Sequence, residues 1–92
     1  MRVTVRFRGP LAYQMTNQQY SVEVEEESSL RTVLQTLVDS EEAVERTWTD
    51  PETIDREALI LCNEVDIGLT GGLETGLKDG DELIVLPLVH GG

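Results

Sequence analysis

The run Leu83-Ile84-Val85-Leu86 most constrains what this chain can fold into. It is continuously apolar and partly β-branched, the pattern of a strand covered on both faces. Such a strand belongs inside a sheet, yet every other candidate element precedes it. The earlier strands must therefore leave a central place open. Pro87 follows and has no N–H to give a ladder, so central pairing is expected to weaken there. Beyond it lie Leu88, Val89, His90, Gly91 and Gly92. Fully extended, five residues reach roughly 17 Å. They read as a tail that carries an α-carboxylate away from the body, which divides the chain into a domain at 1–88 and a flexible tail at 89–92. Without a Cβ, glycine lets a carboxylate enter a narrow channel and leaves its carbonyl carbon open to attack.

The partners of that strand are legible by period. Val3, Val5 and Phe7 alternate with Arg2, Thr4, Arg6 and Arg8, and Tyr20, Val22 and Val24 alternate with Ser21, Glu23 and Glu25. Both runs have the spacing of strands with one buried face. They are expected to form an antiparallel hairpin across a long loop from Leu11 to Gln19, with Arg2, Arg6 and Arg8 near Glu23 and Glu25. Exposed pairs of this kind contribute under ~1 kcal/mol. Leu30, Val33, Leu34, Leu37 and Val38 recur at helical spacing and mark one amphipathic helix. Ser28 or Ser29 can cap it, and Asp39-Ser40 is expected to end it. Glu41 to Trp48 suggests a further helical turn or two, with Val44 and Trp48 on one side and Trp48 in the core. Thr49 to Glu57 reads as a polar loop holding Pro51. Ala58 to Cys62 is a short strand, Asn63-Glu64 a turn, and Val65 to Ile67 a brief return. Gly71-Gly72 sits in a loop anchored by Leu73 and Leu77, and Lys78-Asp79-Gly80-Asp81 is a tight turn. The order predicts an α+β fold with a mixed sheet packed on one main helix. A crossover containing a helix permits the last strand to lie parallel to the first.

Composition removes several functions. Ninety-two residues make one small domain. Eighteen acids against seven bases give a formal net charge of −11. That argues against direct nucleic-acid binding, which needs clustered Lys and Arg, and favours a basic patch on a protein partner. Lys78 is the only lysine, and the acidic, lysine-poor balance resembles proteins of salt-loving archaea. A single cysteine, Cys62, makes neither an internal disulfide nor a zinc site, and reads as a small apolar strand residue. The lone His90 is no metal site and reads as a solvated tail residue. Arg2, Thr4 and Arg6 interrupt the first apolar positions, so no signal peptide is visible. No apolar run nears the ~20 residues of a membrane span. A cytoplasmic monomer away from the membrane is expected.

Leu77-Lys78-Asp79-Gly80-Asp81-Glu82-Leu83, then Leu86-Pro87 and Gly91-Gly92, resembles the end of a sulfur-carrier ubiquitin-like protein. The molybdopterin synthase small subunit, the thiamine sulfur carrier and the archaeal small modifiers share these features. The first strand, the Ser29–Val38 helix and the Leu61–Glu64 strand-turn extend the resemblance along most of the chain. His90 before the diglycine is similar to the tail of the ubiquitin-related modifier of tRNA thiolation. The resemblance implies a β-grasp fold. It also implies that a ubiquitin-activating-type enzyme uses Mg-ATP to adenylate the Gly92 carboxylate, with Gly91 giving clearance. The chain itself would bind no cofactor. Sulfur would then give a thiocarboxylate for tRNA thiolation or cofactor synthesis, or a lysine amine would give an isopeptide bond to a target protein. Lys78 is the candidate acceptor for self-conjugation. The chain is thus expected to be a carried substrate and not an enzyme. An acidic β-grasp interaction module without C-terminal chemistry is the alternative.

Overall fold

The computed structural model describes residues 1–9 and 18–88. Strand β1 spans Arg2–Phe7 and β2 spans Gln19–Glu23, and they pair antiparallel with Val3 opposite Val22 and Val5 opposite Tyr20. Helix α1, Leu30–Ser40, follows. Ser29 caps it by accepting a hydrogen bond from the Thr32 N–H, and the five apolar residues at helical spacing are all buried. A short helix α2, Glu42–Thr47, then presents Val44, and its C-cap Trp48 is buried as well. Trp48 stacks on Phe7 with ring centroids 5.8 Å apart, so an aromatic pair ties the first strand to the segment after the main helix.

The expected loop at Thr49–Glu57 is instead helix α3, Pro51–Glu57. Asp50 accepts from the Thr53 N–H and hydroxyl, both at 2.7 Å. Pro51 occupies the first turn, where its missing N–H costs nothing. Only Pro51 and Ile54 of this polar segment are buried, three residues apart, which is too little for an apolar period to announce the helix.

Strands β3, Ala58–Cys62, and β4, Val65–Asp66, form a hairpin through Asn63-Glu64. Two single turns of 3-10 helix, Ile67–Leu69 and Gly72–Glu74, make up the following loop, and Ile67, Leu73 and Leu77 anchor it. The returning strand thus stops at Asp66, one residue earlier than expected. Strand β5, Glu82–Pro87, completes a five-stranded sheet of order β2-β1-β5-β3-β4. It runs parallel to β1 and antiparallel to β3. This is the β-grasp arrangement, with the last strand in the middle. The helices cover one face, over Val3, Val5, Phe7, Ile60, Leu83 and Val85.

Candidate functional site

Of the functional residues singled out above, Lys78 lies in the turn before β5, and Gly91 and Gly92 fall outside the described residues. The start of β5 is a pinned turn. The Asp81 N–H donates to the Lys78 carbonyl at 3.1 Å, and Gly80 supplies the positive φ of +88° that the turn needs. The Gly80 N–H donates to the Arg2 carbonyl at 2.8 Å, and the Thr4 N–H donates to the Asp81 carbonyl at 3.0 Å. Two carboxylates complete the clamp. Asp79 accepts from the Arg2 N–H at 2.7 Å, while Asp81 accepts from the Lys78 N–H at 2.8 Å and the Asn63 amide at 2.9 Å. The backbone of Lys78 is therefore held firmly, and its side chain is exposed.

Cys62 lies beside this clamp, with its Sγ 3.8 Å from Asp81 Oδ2. Burial pushes its thiol up to about 11, and the negative charge of Asp81 adds to the effect. A thiol so protonated is a poor nucleophile at neutral pH.

The other end of β5 is an exit. Pairing with β1 ends where Phe7 faces Val85 and the Arg8 N–H donates to the Val85 carbonyl at 3.0 Å. Pairing with β3 continues through Leu86 opposite Leu59 and Pro87 opposite Ala58, and the Leu88 N–H donates to the Glu57 carbonyl at 2.8 Å. Alternation along the strand turns Pro87 nitrogen toward the β1 side, after the ladder there has stopped. Proline is tolerated at that edge because no donor is needed. The weakening expected at Pro87 thus occurs on one side of the strand. Val89, His90, Gly91 and Gly92 lie outside the described residues.

The sheet face away from the helices is open, which corrects the expectation that β5 is covered on both faces. Leu83 and Val85 are buried, but Ile84 is half-buried and Leu86 is 38% exposed. Register sets Arg6, Ile84 and Leu61 in one row, with Leu86 beside Leu59 in the next. Leu88, 50% exposed, prolongs this apolar strip toward the exit. The signal was in the sequence. If Val3 and Val5 share a face with Leu83 and Val85, then Ile84 and Leu86 must lie with Arg6 and Arg8. On the same face Arg2 meets Glu23 at 2.7 Å, as expected. Arg6 departs from expectation: its side chain reaches Gln19 at 3.1 Å and Glu82 at 3.3 Å instead of Glu25, because Gln19 is its pair on β2 and Glu82 lies diagonally on β5, opposite Thr4.

Among the described residues, no group of three or more His, Cys, Asp or Glu side chains is placed to hold a metal ion, and no helix is long and apolar enough to cross a membrane. The model of the Urm1 (ubiquitin related modifier) family matches residues 2–92. The chain belongs to the Urm1 family. Sulfur carrier protein CysO of Mycobacterium tuberculosis is 39% identical over 44 residues, covering 48% of this chain and 47% of that protein. The chain thus aligns with about half the length of the curated relatives it matches. Among solved structures, the small archaeal modifier protein 1 of Methanosarcina acetivorans is 28% identical with a TM-score of 0.75, covering 99% of this chain and 96% of its own. CysO in the Amycolatopsis orientalis BexX/CysO complex is 28% identical with a TM-score of 0.69, covering 98% and 99%. This Urm1-family chain is therefore similar both to proteins named as sulfur carriers and to proteins named as modifiers.

Proposed function

We propose that this protein is a ubiquitin-like sulfur carrier and modifier whose reacting group is the Gly92 carboxylate. The observation that carries the proposal is the family match, which runs through Gly91 and Gly92 to residue 92. The exit of β5 supports it, because pairing with β1 has ended by Val85 while the Leu88 N–H still donates to the Glu57 carbonyl, which leads the chain out along the β3 side. A ubiquitin-activating-type enzyme binds the protein with Mg-ATP, and the apolar strip running to the exit offers it a surface continuous with the tail. The carboxylate attacks the α-phosphorus of ATP and pyrophosphate leaves, giving an acyl-adenylate with AMP as a good leaving group. A sulfur donor then displaces AMP to give a thiocarboxylate, or a lysine amine displaces it to give an isopeptide bond.

The chain's own contribution is positional. Gly91 and Gly92 present no side chain to the activating site. The place of Cys62 beside Asp81 and its raised pKa favour the Gly92 carboxylate over this thiol as the sulfur-bearing group. The test is pyrophosphate exchange with the cognate activating enzyme, ATP and Mg, using the whole chain and a chain lacking Gly91 and Gly92. Exchange with the whole chain, and none with the shortened one at equal thermal stability, is the expected result. Exchange by the shortened chain, or none by the whole one, rejects the proposal and leaves an interaction module.

A further inference from the structure

We propose that Lys78 is a modification site, the acceptor for the Gly92 carboxyl of a second copy, and that the product is an unbranched head-to-tail polymer. This rests on the activation chemistry proposed above. Among the described residues, Lys78 Nζ makes no hydrogen bond or ion pair, while the backbone beneath it is fixed by Asp81 and Asn63. The acceptor amine is thus free on an immobile base. The only other nitrogen that could serve as an amine acceptor is that of Met1. It donates to the Val24 carbonyl at 2.6 Å within the sheet ladder and lies 3.9 Å from the Glu26 carboxylate. The Met1 amine is thus already engaged, whereas that of Lys78 is not.

Topology then decides which tail reaches it. Lys78 adjoins the start of β5 and the tail leaves its end. Six residues of strand at ~3.3 Å each separate them by about 20 Å. Residues 89–92 span at most ~14 Å fully extended, so even with the lysine side chain stretched toward it a straight tail would only just cover that separation. To return to its own Lys78 the tail must also reverse direction, and a tight turn takes four residues, which is all of 89–92. The bond is therefore between molecules. Donor and acceptor lie on different surfaces, so the contact is heterologous and does not close on itself. With one lysine per copy, each added copy offers one new acceptor.

In the step itself, the neutral Lys78 amine attacks the carbonyl carbon of the Gly92 adenylate. The C–N bond forms, the C–O bond to AMP breaks, AMP leaves with the electron pair, and the ammonium proton passes to water. The adenylate comes from ATP on the activating enzyme. Tagged full-length protein is incubated with that enzyme and ATP beside a Lys78→Arg variant, and pyrophosphate release is followed separately. The expected result is a ladder rising in steps near 10.2 kDa, lost in Lys78→Arg while its pyrophosphate release is unchanged. Trypsin should leave the dimer as residues 57–92 joined at Lys78 to a branch of residues 79–92, and longer chains as further 57–92 segments joined in series, because a modified Lys78 is not cleaved. A ladder persisting in Lys78→Arg, a product of monomer mass less one water, or adenylation with no ladder overturns this inference alone. Absence of pyrophosphate release overturns the activation chemistry and this inference with it.

Discussion

Cys62 is the single thiol of the chain, and its environment makes it a poor nucleophile. Its thiol ordinarily ionises near 9.0, and burial with the nearby Asp81 carboxylate raises this to about 11. The thiolate fraction at pH 8 falls by roughly a hundredfold. Carboxymethylation of the folded protein at pH 8 should be slower than that of the unfolded protein by about that factor; equal rates would contradict the burial. The folded state holds this proton where the unfolded chain releases it, so stability declines as pH rises from 9.0 toward about 11. Asn63 and Glu64 form the β3–β4 turn with φ of 49° and 72°. Asparagine tolerates that left-handed region, whereas glutamate is strained in it. Glu64→Gly should stabilise the fold by up to ~1 kcal/mol, read as a higher urea midpoint. A lower midpoint would mean that the lost side chain or glycine's entropy outweighs the strain. That turn was legible from composition, but its strained second residue was not, because glutamate gives no sign of the φ imposed on it.

Among the elements, α1 was legible because five apolar residues at helical spacing all had one face to bury. The same logic missed α3, where Ile54 stands nearly alone and the helix is set by Asp50 and Pro51 at its start. The cap signals were present, but without an apolar stripe nothing distinguished them from turn chemistry. Hydrogen bonds from the Thr53 hydroxyl and N–H hold the Asp50 carboxyl below the usual carboxylate range. A depressed folded pKa contributes stability above the unfolded value of 3.8 and loses it as pH falls through the folded one. Asp50→Asn, which can still cap, should therefore flatten the acid limb of the melting profile, while Asp50→Ala lowers melting at neutral pH as well. If neither variant changes the profile, α3 is held by the burial of Pro51 and Ile54. β5 was placed correctly in the middle of the sheet, yet its open face was missed. An apolar run looks the same whether its second face meets a helix or solvent, and only the register with Arg6 separates the two.

Over the whole molecule, the charge of −11 lies on a small single sheet with its helices. Like charges on so small a body repel, and the Debye length shrinks from ~30 Å at 0.01 M salt to ~3 Å at 1 M. The melting temperature should rise between dilute buffer and molar KCl; an unchanged value would show that repulsion does not limit stability. Fold class and topology followed from the order and period of the runs. The tail was read from Pro87 and the two glycines and its chemistry from resemblance, and Val89 to Gly92 lie outside the described residues. The central position of β5 also bears on how the molecule is made. On the ribosome, β1 with β2 and β3 with β4 are complete long before the strand that must join them. Until it emerges, the nascent protein is two hairpins with facing raw edges, an open seam that another chain could fill. A copy stalled before β5 therefore keeps both raw edges and has no closed sheet.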